Sequence, residues 1–181
     1  IKSVLNQDYK PDLAIILTLH NLSENLTALG KAGIKNLLLQ FDLTVKTTKS
    51  MQKQIIEELK KQINLFEFQV IGPSMIGIID FQSKFTSSLI PVRSHIIQPN
   101  VPSRPKSGAS FLAQSGGLAG ACGWWTPSQK IPFAKIIHTG YGLGFTDTDI
   151  LEYLFHDTAT DVILLLLRTI PPEFPNLIHK N

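Results

Sequence analysis

Short unbroken runs of Ile, Leu, Val and Phe alternate with longer stretches whose apolar residues recur every three or four positions, and this alternation limits the folds open to the chain. A run without polar alternation suits a strand buried on both faces, whereas three-to-four-residue spacing suits a helix packed along one stripe. Asp12-Leu-Ala-Ile-Ile-Leu-Thr18 reads as a first, buried strand. Asn21 or Ser23 caps a helix to about Ala32, with Leu22, Leu26 and Leu29 on one stripe and Gly33 ending it. Ile34 to Phe41 is a second strand. A longer helix runs roughly from Lys46 to Asn64, with Met51, Ile55, Ile56, Leu59 and Ile63 at helical spacing. Phe66 to Ile71 is a third strand, stopped by Gly72-Pro73. This β-α-β-α-β order predicts parallel strands joined by right-handed crossovers.

The stretch from Ser74 to Ser107 differs, with proline at 91, 99, 102 and 105 and short apolar pieces such as Ile76 to Ile79. It reads as a connector holding a hairpin or edge strands, with a composition boundary inside it. Alternation then resumes. Ala109 to Ala113 is a strand, Gln114 to Gly117 a tight turn, and Leu118 to about Trp125 a helix. Lys135 to Thr139 is a strand and Gly140 to Gly144 a glycine-spaced loop. Thr146 and Asp149 have capping-box spacing ahead of a helix to Phe155, and Asp161 to Leu167 is another buried strand, with none expected after it. The reading is two α/β units in tandem, residues 1–73 and 74–181, without an internal repeat. The first unit has three strands and no glycine-rich phosphate loop ahead of Asp12, which predicts a fragment, or strands supplied from elsewhere.

Composition excludes several classes. Of 181 residues 43% are hydrophobic and 17% charged, which argues against disorder. The net charge is only +3, and the densest basic run (Lys46, Lys49, Lys53, Lys60, Lys61) is diluted by Glu57 and Glu58, so a solvated helix face is expected and no nucleic-acid partner. Cys122 is the single cysteine, which rules out an internal disulfide and a thiolate zinc site and suits a reducing cytoplasm. The longest apolar stretch, Val162 to Leu167, is too short to span a bilayer, and no signal peptide is visible, so no membrane partner is expected. Asn21-Leu-Ser23 and Asn25-Leu-Thr27 match glycosylation sequons inside a helical stretch and read as chance.

The strongest chemical signal is Ser115-Gly116-Gly117 between a strand and a helix. Small residues let backbone amides approach an anion, and a helix N-terminus adds unpaired donors and the positive end of its dipole. A phosphate or carboxylate suits such a turn; a plain strand–helix turn has the same spacing. Gly140-Tyr-Gly142-Leu-Gly144 is a weaker candidate of the same kind, and Gly72 to Gly77 is a bend that lines a cleft or simply turns a corner. His20, His95, His138, His156 and His179 have no metal-ligand spacing and read as structural or solvated; His20 follows a strand and His156 sits near a helix C-terminus. No nucleophile elbow is visible. Cys122 reads as a packed small residue and Trp124-Trp125 as core plus edge, or as an interface.

Several segments, in collinear order from about residue 11 to 167, resemble the ADP-forming acyl-CoA synthetases and succinyl-CoA synthetase α-subunits. Phe111-Leu-Ala-Gln-Ser-Gly-Gly-Leu118 resembles their "SQSGaL" turn, with Trp125 at the tryptophan of "ldW". Ile131 to Gly140 resembles "giGFSkfvslG", Asp147 to Leu154 resembles "vdevDlLeyL", and His156-Asp157 through Leu167 resembles "DpeTkvIllYL". Upstream, Asp12 to Ile16 resembles "vDLAviavP", Gly30 to Ile34 "GekGvk" and Val70 to Ile78 "vvGPNslGv". The resemblance implies a truncated Rossmann-like CoA-binding domain followed by a flavodoxin-like parallel-sheet domain. It implies joining CoA to a carboxylic acid with a nucleoside triphosphate, through an acyl phosphate and a phosphohistidine, with CoA and nucleotide as ligands and an ATP-grasp domain or subunit as partner. Gln114, Ser115, Gly116 and Gly117 then fall in the phosphate-binding turn, and Thr18, His20 and Ser74 on the CoA-side cleft.

The chain departs from the pattern at definite positions. Arg168 stands where the family often has glutamate, Ser74 replaces the asparagine of "GPN", and Ala113 replaces the first serine of "SQSG". Thr18-Leu19-His20 replaces a proline-containing turn near CoA, and Asp42-Leu43 stands at the family's acidic-glycine turn. The CoA-gripping first βα turn and the phosphorylated histidine are expected to fall outside this chain, and His179 lacks that histidine's context. These departures keep a second reading open: a degenerate, non-catalytic scaffold or regulatory module, of an acyltransferase in some relatives.

Overall fold

A computed structural model of the chain describes residues 9–45, 47–92, 107–125 and 131–180. The chain forms two compact units, one of residues up to Met75 together with Tyr141–Phe145, the other of Ile76–Gly140 and the residues from Thr146 onward.

In the first unit β1 (Leu13–Ile16), β2 (Asn36–Leu39) and β3 (Gln69–Ile71) form a parallel sheet in the order β1-β2-β3, with Leu13 opposite Asn36 and Leu38 opposite Ile71. The crossover helices α1 (Leu22–Lys31) and α2 (Lys49–Phe66) pack on each other, because two right-handed crossovers running in one direction put both helices on one face. Leu26, Leu29, Leu37, Leu39, Leu59 and Val70 fill the core between them.

Of the two expected residues, Asn21 takes the cap position of α1. Asn21 takes a left-handed conformation (φ 50°), which Asn tolerates, and makes no side-chain cap bond. Ser23 instead donates to Glu58 on α2 at 2.7 Å, and Gln62 donates to Glu58 at 2.8 Å. Thr48 caps α2 by accepting the Met51 amide at 3.2 Å, so the helix starts at Lys49; Lys46 lies outside the described residues. Phe66, expected to open a strand, closes α2. Glu67 enters the left-handed region (φ 54°) and returns its amide to the Ile63 carbonyl, which shortens β3. The glycine-spaced loop also serves this unit: the amides of Tyr141, Leu143 and Phe145 donate to the carbonyls of Pro73, Gly72 and Val70 at 2.7–2.9 Å.

The second unit holds β4 (Gly77–Asp80), β5 (Phe85–Thr86), β6 (Gly108–Ala113), α3 (Gly116–Trp125), β7 (Phe133–His138), α4 (Asp147–His156), β8 (Thr160–Leu166) and α5 (Phe174–Lys180). The sheet order is β5-β4-β7-β6-β8. Strands β7, β6 and β8 are parallel, while β4 runs antiparallel to β7 and to β5. The hairpin expected of the connector is therefore β4–β5, added to one edge of the sheet; His95 and the prolines at 99, 102 and 105 lie outside the described residues. Helix α5 was not expected from the sequence. Pro175 sits in its first turn, where a missing N–H costs nothing. Among the described residues no helix is long and apolar enough to cross a membrane.

A charged cluster is buried at the N-terminal ends of the parallel strands. Lys135 on β7 is only 6% exposed, and its Nζ lies 2.8 Å from Asp157 Oδ2 and 3.8 Å from Asp80 Oδ2. Asp157 also accepts from Thr160, whose hydroxyl meets that of Ser110 at 2.7 Å. Burial alone would raise the Asp157 carboxyl; the Lys135 and Thr160 hydrogen bonds outweigh it and hold the group below its usual range. Lys135→Met leaves Asp157 and Asp80 without their shared cation. It should lower unfolding stability by about 3 kcal/mol in urea titration at neutral pH, whereas a cost under ~1 kcal/mol would mean that the cluster is effectively solvated.

Candidate functional site

Strand β6 lies between β7 and β8, so the chain winds one way from β6 to β7 and the other way from β7 to β8. Parallel sheets open a crevice beyond the carboxyl ends of their strands at such a reversal, because the two crossovers leave on opposite faces. The turn Ser115–Gly117 follows β6, and Arg168 and Thr169 follow β8.

Helix α3 begins at Gly116, two residues before the expected start, because Ser115 occupies the cap position. Its carbonyl accepts the Ala119 amide at 2.9 Å and its hydroxyl lies 3.5 Å from the Leu118 amide. The amides of Ser115, Gly116 and Gly117 have no hydrogen-bond partner among the described residues, as expected at a helix N-terminus. The two glycines differ. A Cβ on Gly116 would come within 2.3 Å of Ile76 Cγ1 and 3.1 Å of His138 Cε1, whereas a Cβ on Gly117 would meet nothing within 4 Å. Gly116 is needed for close packing, and Gly117 leaves the outer side of the turn open.

Gln114 holds the surroundings of this turn together. Its Nε2 donates to Asp147 Oδ2 at 2.6 Å and toward the Thr169 carbonyl at 3.5 Å, while its Oε1 accepts the amides of Arg168 at 2.6 Å and Thr169 at 3.2 Å. Asp147, the first residue of α4, also accepts from the Thr139 hydroxyl. The expected capping box is present: Thr146 accepts the Asp149 amide, and Asp149 accepts the Thr146 amide. The side chain of Gln114 thus fixes the frame of the turn, and the open donors belong to the backbone. His138, at the end of β7, is buried; its Nδ1 accepts the Ile76 amide at 2.8 Å.

On the first unit, Thr18 and His20 after β1 and Ser74 after β3 come to one end of the parallel sheet. Both hydroxyls already serve the backbone. Thr18 Oγ1 accepts the His20 amide at 3.1 Å, and Ser74 Oγ accepts the Leu43 amide at 2.9 Å. Ser74 stands at φ 60°, in the left-handed region. Asp42 accepts both the amide and the hydroxyl of Thr44, so the loop after β2 is closed on itself. A mostly apolar cavity of about 590 Å³ on the same unit is lined by Leu19, Leu22, Val45 and Met51, among others. Among the described residues no group of His, Cys, Asp and Glu could hold a metal ion. Cys122 is partly buried, which pushes its thiol up.

Asp147 and Thr139 were not among the residues expected at the site. Asp147 stood beside a capping box and inside a family-like segment, but its pairing with Gln114 spans 33 residues.

Residues 106–173 match the family described as the succinyl-CoA ligase like flavodoxin domain. The chain is 25% identical over 168 residues to the acetate–CoA ligase [ADP-forming] of Methanocaldococcus jannaschii, covering 92% of this chain and 22% of that protein. It is 27% identical over 169 residues to the acetate–CoA ligase [ADP-forming] II subunit alpha of Pyrococcus furiosus, covering 91% and 34% respectively. The fold is shared with a crystal structure from Pyrococcus horikoshii (TM-score 0.81, 22% identity, 98% of this chain and 39% of that one). It is also shared with the dinucleotide forming acetyl-coenzyme A synthetase 1 of Ca. Korarchaeum cryptofilum in complex with phosphate and ADP (TM-score 0.77, 22% identity, 98% and 36%). The chain thus spans about a third or less of the two ligases.

The two glycines of the turn predict opposite outcomes. Gly116→Ala should lower stability by about 1–3 kcal/mol through overpacking against Ile76. Gly117→Ala should be neutral or stabilising by up to about 1 kcal/mol through helix propensity. Thermal or urea unfolding of the two variants checks this, and equal effects would contradict the packing described.

Proposed function

We propose that this chain, whose residues 106–173 form a succinyl-CoA ligase like flavodoxin domain, is part of an ADP-forming acyl-CoA synthetase-like protein of the cytoplasm. The whole protein would join a carboxylic acid to CoA with a nucleoside triphosphate, releasing the diphosphate and phosphate through acyl-phosphate and phosphohistidine steps. Its nucleotide site and phosphorylated histidine are assigned to other domains or to an ATP-grasp subunit, and no residue of this chain is given that histidine's role. The observation that carries this reading is the open amide turn Ser115–Gly117 at the point where the sheet reverses its winding.

Phosphate fits that turn. It presents backbone N–H groups at the positive end of α3, leaves space outside Gly117, and has the Arg168 cation in the neighbouring loop. The amides would bind and orient the anion while the Gln114 clamp keeps them in place. CoA fits less well, because the hydroxyls of Thr18 and Ser74 already accept backbone amides. No step through CoA is assigned to these residues, and the chain by itself should show no micromolar CoA binding by calorimetry. A second reading, a non-catalytic scaffold or regulatory module, is favoured by one residue: Arg168 puts a cation where the family often has a glutamate.

The test is inorganic phosphate titrated into the isotope-labelled chain at low salt. Each charge-assisted hydrogen bond contributes roughly 1.5–3 kcal/mol before ordering and desolvation costs. A Kd on the order of 1 mM, weakening with salt, is therefore expected, with amide shifts centred on Ser115 to Leu118. Arg168→Gln should weaken binding severalfold and Ser115→Ala by less. Shifts confined to other residues would overturn the assignment.

A further inference from the structure

The segment entering β4 and the turn after β6 are joined through one imidazole. His138 is 6% exposed, and its Nδ1 accepts the Ile76 amide hydrogen at 2.8 Å. The neutral ring therefore carries its proton on Nε2, which donates to the Gln114 carbonyl. The side chain of Ile76 and the ring edge of His138 both bear on Gly116, so one ring sets the position of Ile76 and of the turn together. A second proton has only Nδ1 to bind, and there it would confront the Ile76 N–H at hydrogen-bond distance.

The charged groups facing the ring come from two elements. Asp147 on α4 favours the cation, and Arg168 in the loop after β8 opposes it. The segment at Ile76 and the turn Gln114–Gly116 contribute backbone groups and no charged side chain. Burial is the largest influence and, with Arg168, outweighs Asp147, holding His138 below the usual imidazole range.

We propose that His138 is a proton-operated latch: neutral, it fastens Ile76 to the turn Gln114–Gly117, and protonated, it releases Ile76 and loosens that turn. The unfolded chain accepts the second proton more readily than the folded one. The latch's contribution to stability is therefore complete above about pH 6.5 and is withdrawn as the pH falls from there toward the lower folded value. The latch does not depend on whether the turn binds phosphate.

The experiment is NMR on the chain between pH 7.5 and 5, following the His138 ring nitrogens and the amide protection factors of Ile76 and Gly116. The ring should begin as the Nε2–H tautomer and gain its second proton below pH 6.5. Ile76 protection should fall at least tenfold with the same midpoint. His138→Asn keeps an acceptor near Nδ1 and does not titrate, so Ile76 protection should become flat across this range. The proposal is overturned if the wild-type ring gains its proton while Ile76 and Gly116 protection stays constant. It is overturned equally if the ring stays neutral until the whole unit unfolds, and both outcomes are readable without the variant.

Discussion

The second unit is organised around one side-chain amide. Gln114 closes both of its ends, donating to Asp147 and accepting from the backbone of Arg168 and Thr169, so the end of β6, the start of α4 and the loop after β8 are tied at one point. A carboxamide can do this because it offers donors and an acceptor on opposite atoms of one rigid plane. An acid would repel Asp147, and an amine could not accept the two loop amides. With that plane satisfied by protein groups, the amides of Ser115 to Gly117 keep no partner among the described residues.

The two ends of the parallel strands have different chemistry. At their N-terminal ends Lys135, Asp157, Thr160 and Ser110 form a closed polar cluster in which each side chain answers another. Near their C-terminal ends His138, Thr139 and Asp147 are likewise answered within the protein, while the amides of the Ser115–Gly117 turn have no partner among the described residues. Buried side-chain donors and acceptors without partners do not occur among the described residues. At the start of α3 the groups without a partner among the described residues are backbone amides, at the positive end of the helix.

Much of the fold was legible because most strands are short apolar runs and α1, α2 and α4 carry apolar stripes, although β1 and β8, expected to be buried, leave Ile15, Val162, Leu164 and Leu165 exposed. Leu22, Leu26 and Leu29 are buried as their spacing implied, and Thr146 and Asp149 form the capping box that their spacing predicted. The misreadings are local and have local causes. Phe66 looked like a strand residue, but the left-handed turn at Glu67 keeps it in α2, where it lies beside Phe68. The segment after Leu167 was expected only to hold no further strand, and α5 went unread there, although a proline in its first turn is compatible with a helix. What spacing could not reveal is pairing at long range. The partners of Gln114 lie 33 and 54 residues away, and the Ile76–His138 bond spans 62. The turn itself was visible in sequence, but the groups that leave it open were not.

The most direct test of the account is a crystal structure of this chain grown with phosphate or with tungstate, whose metal gives an unambiguous anomalous signal. An oxyanion is expected about 2.7–3.2 Å from the amide nitrogens of the Ser115–Gly117 turn, with the Gln114 bonds to Asp147 and Arg168 unchanged. An empty turn beside an anion bound elsewhere on the chain, or a Gln114 side chain turned out of its clamp to reach the anion, would contradict it.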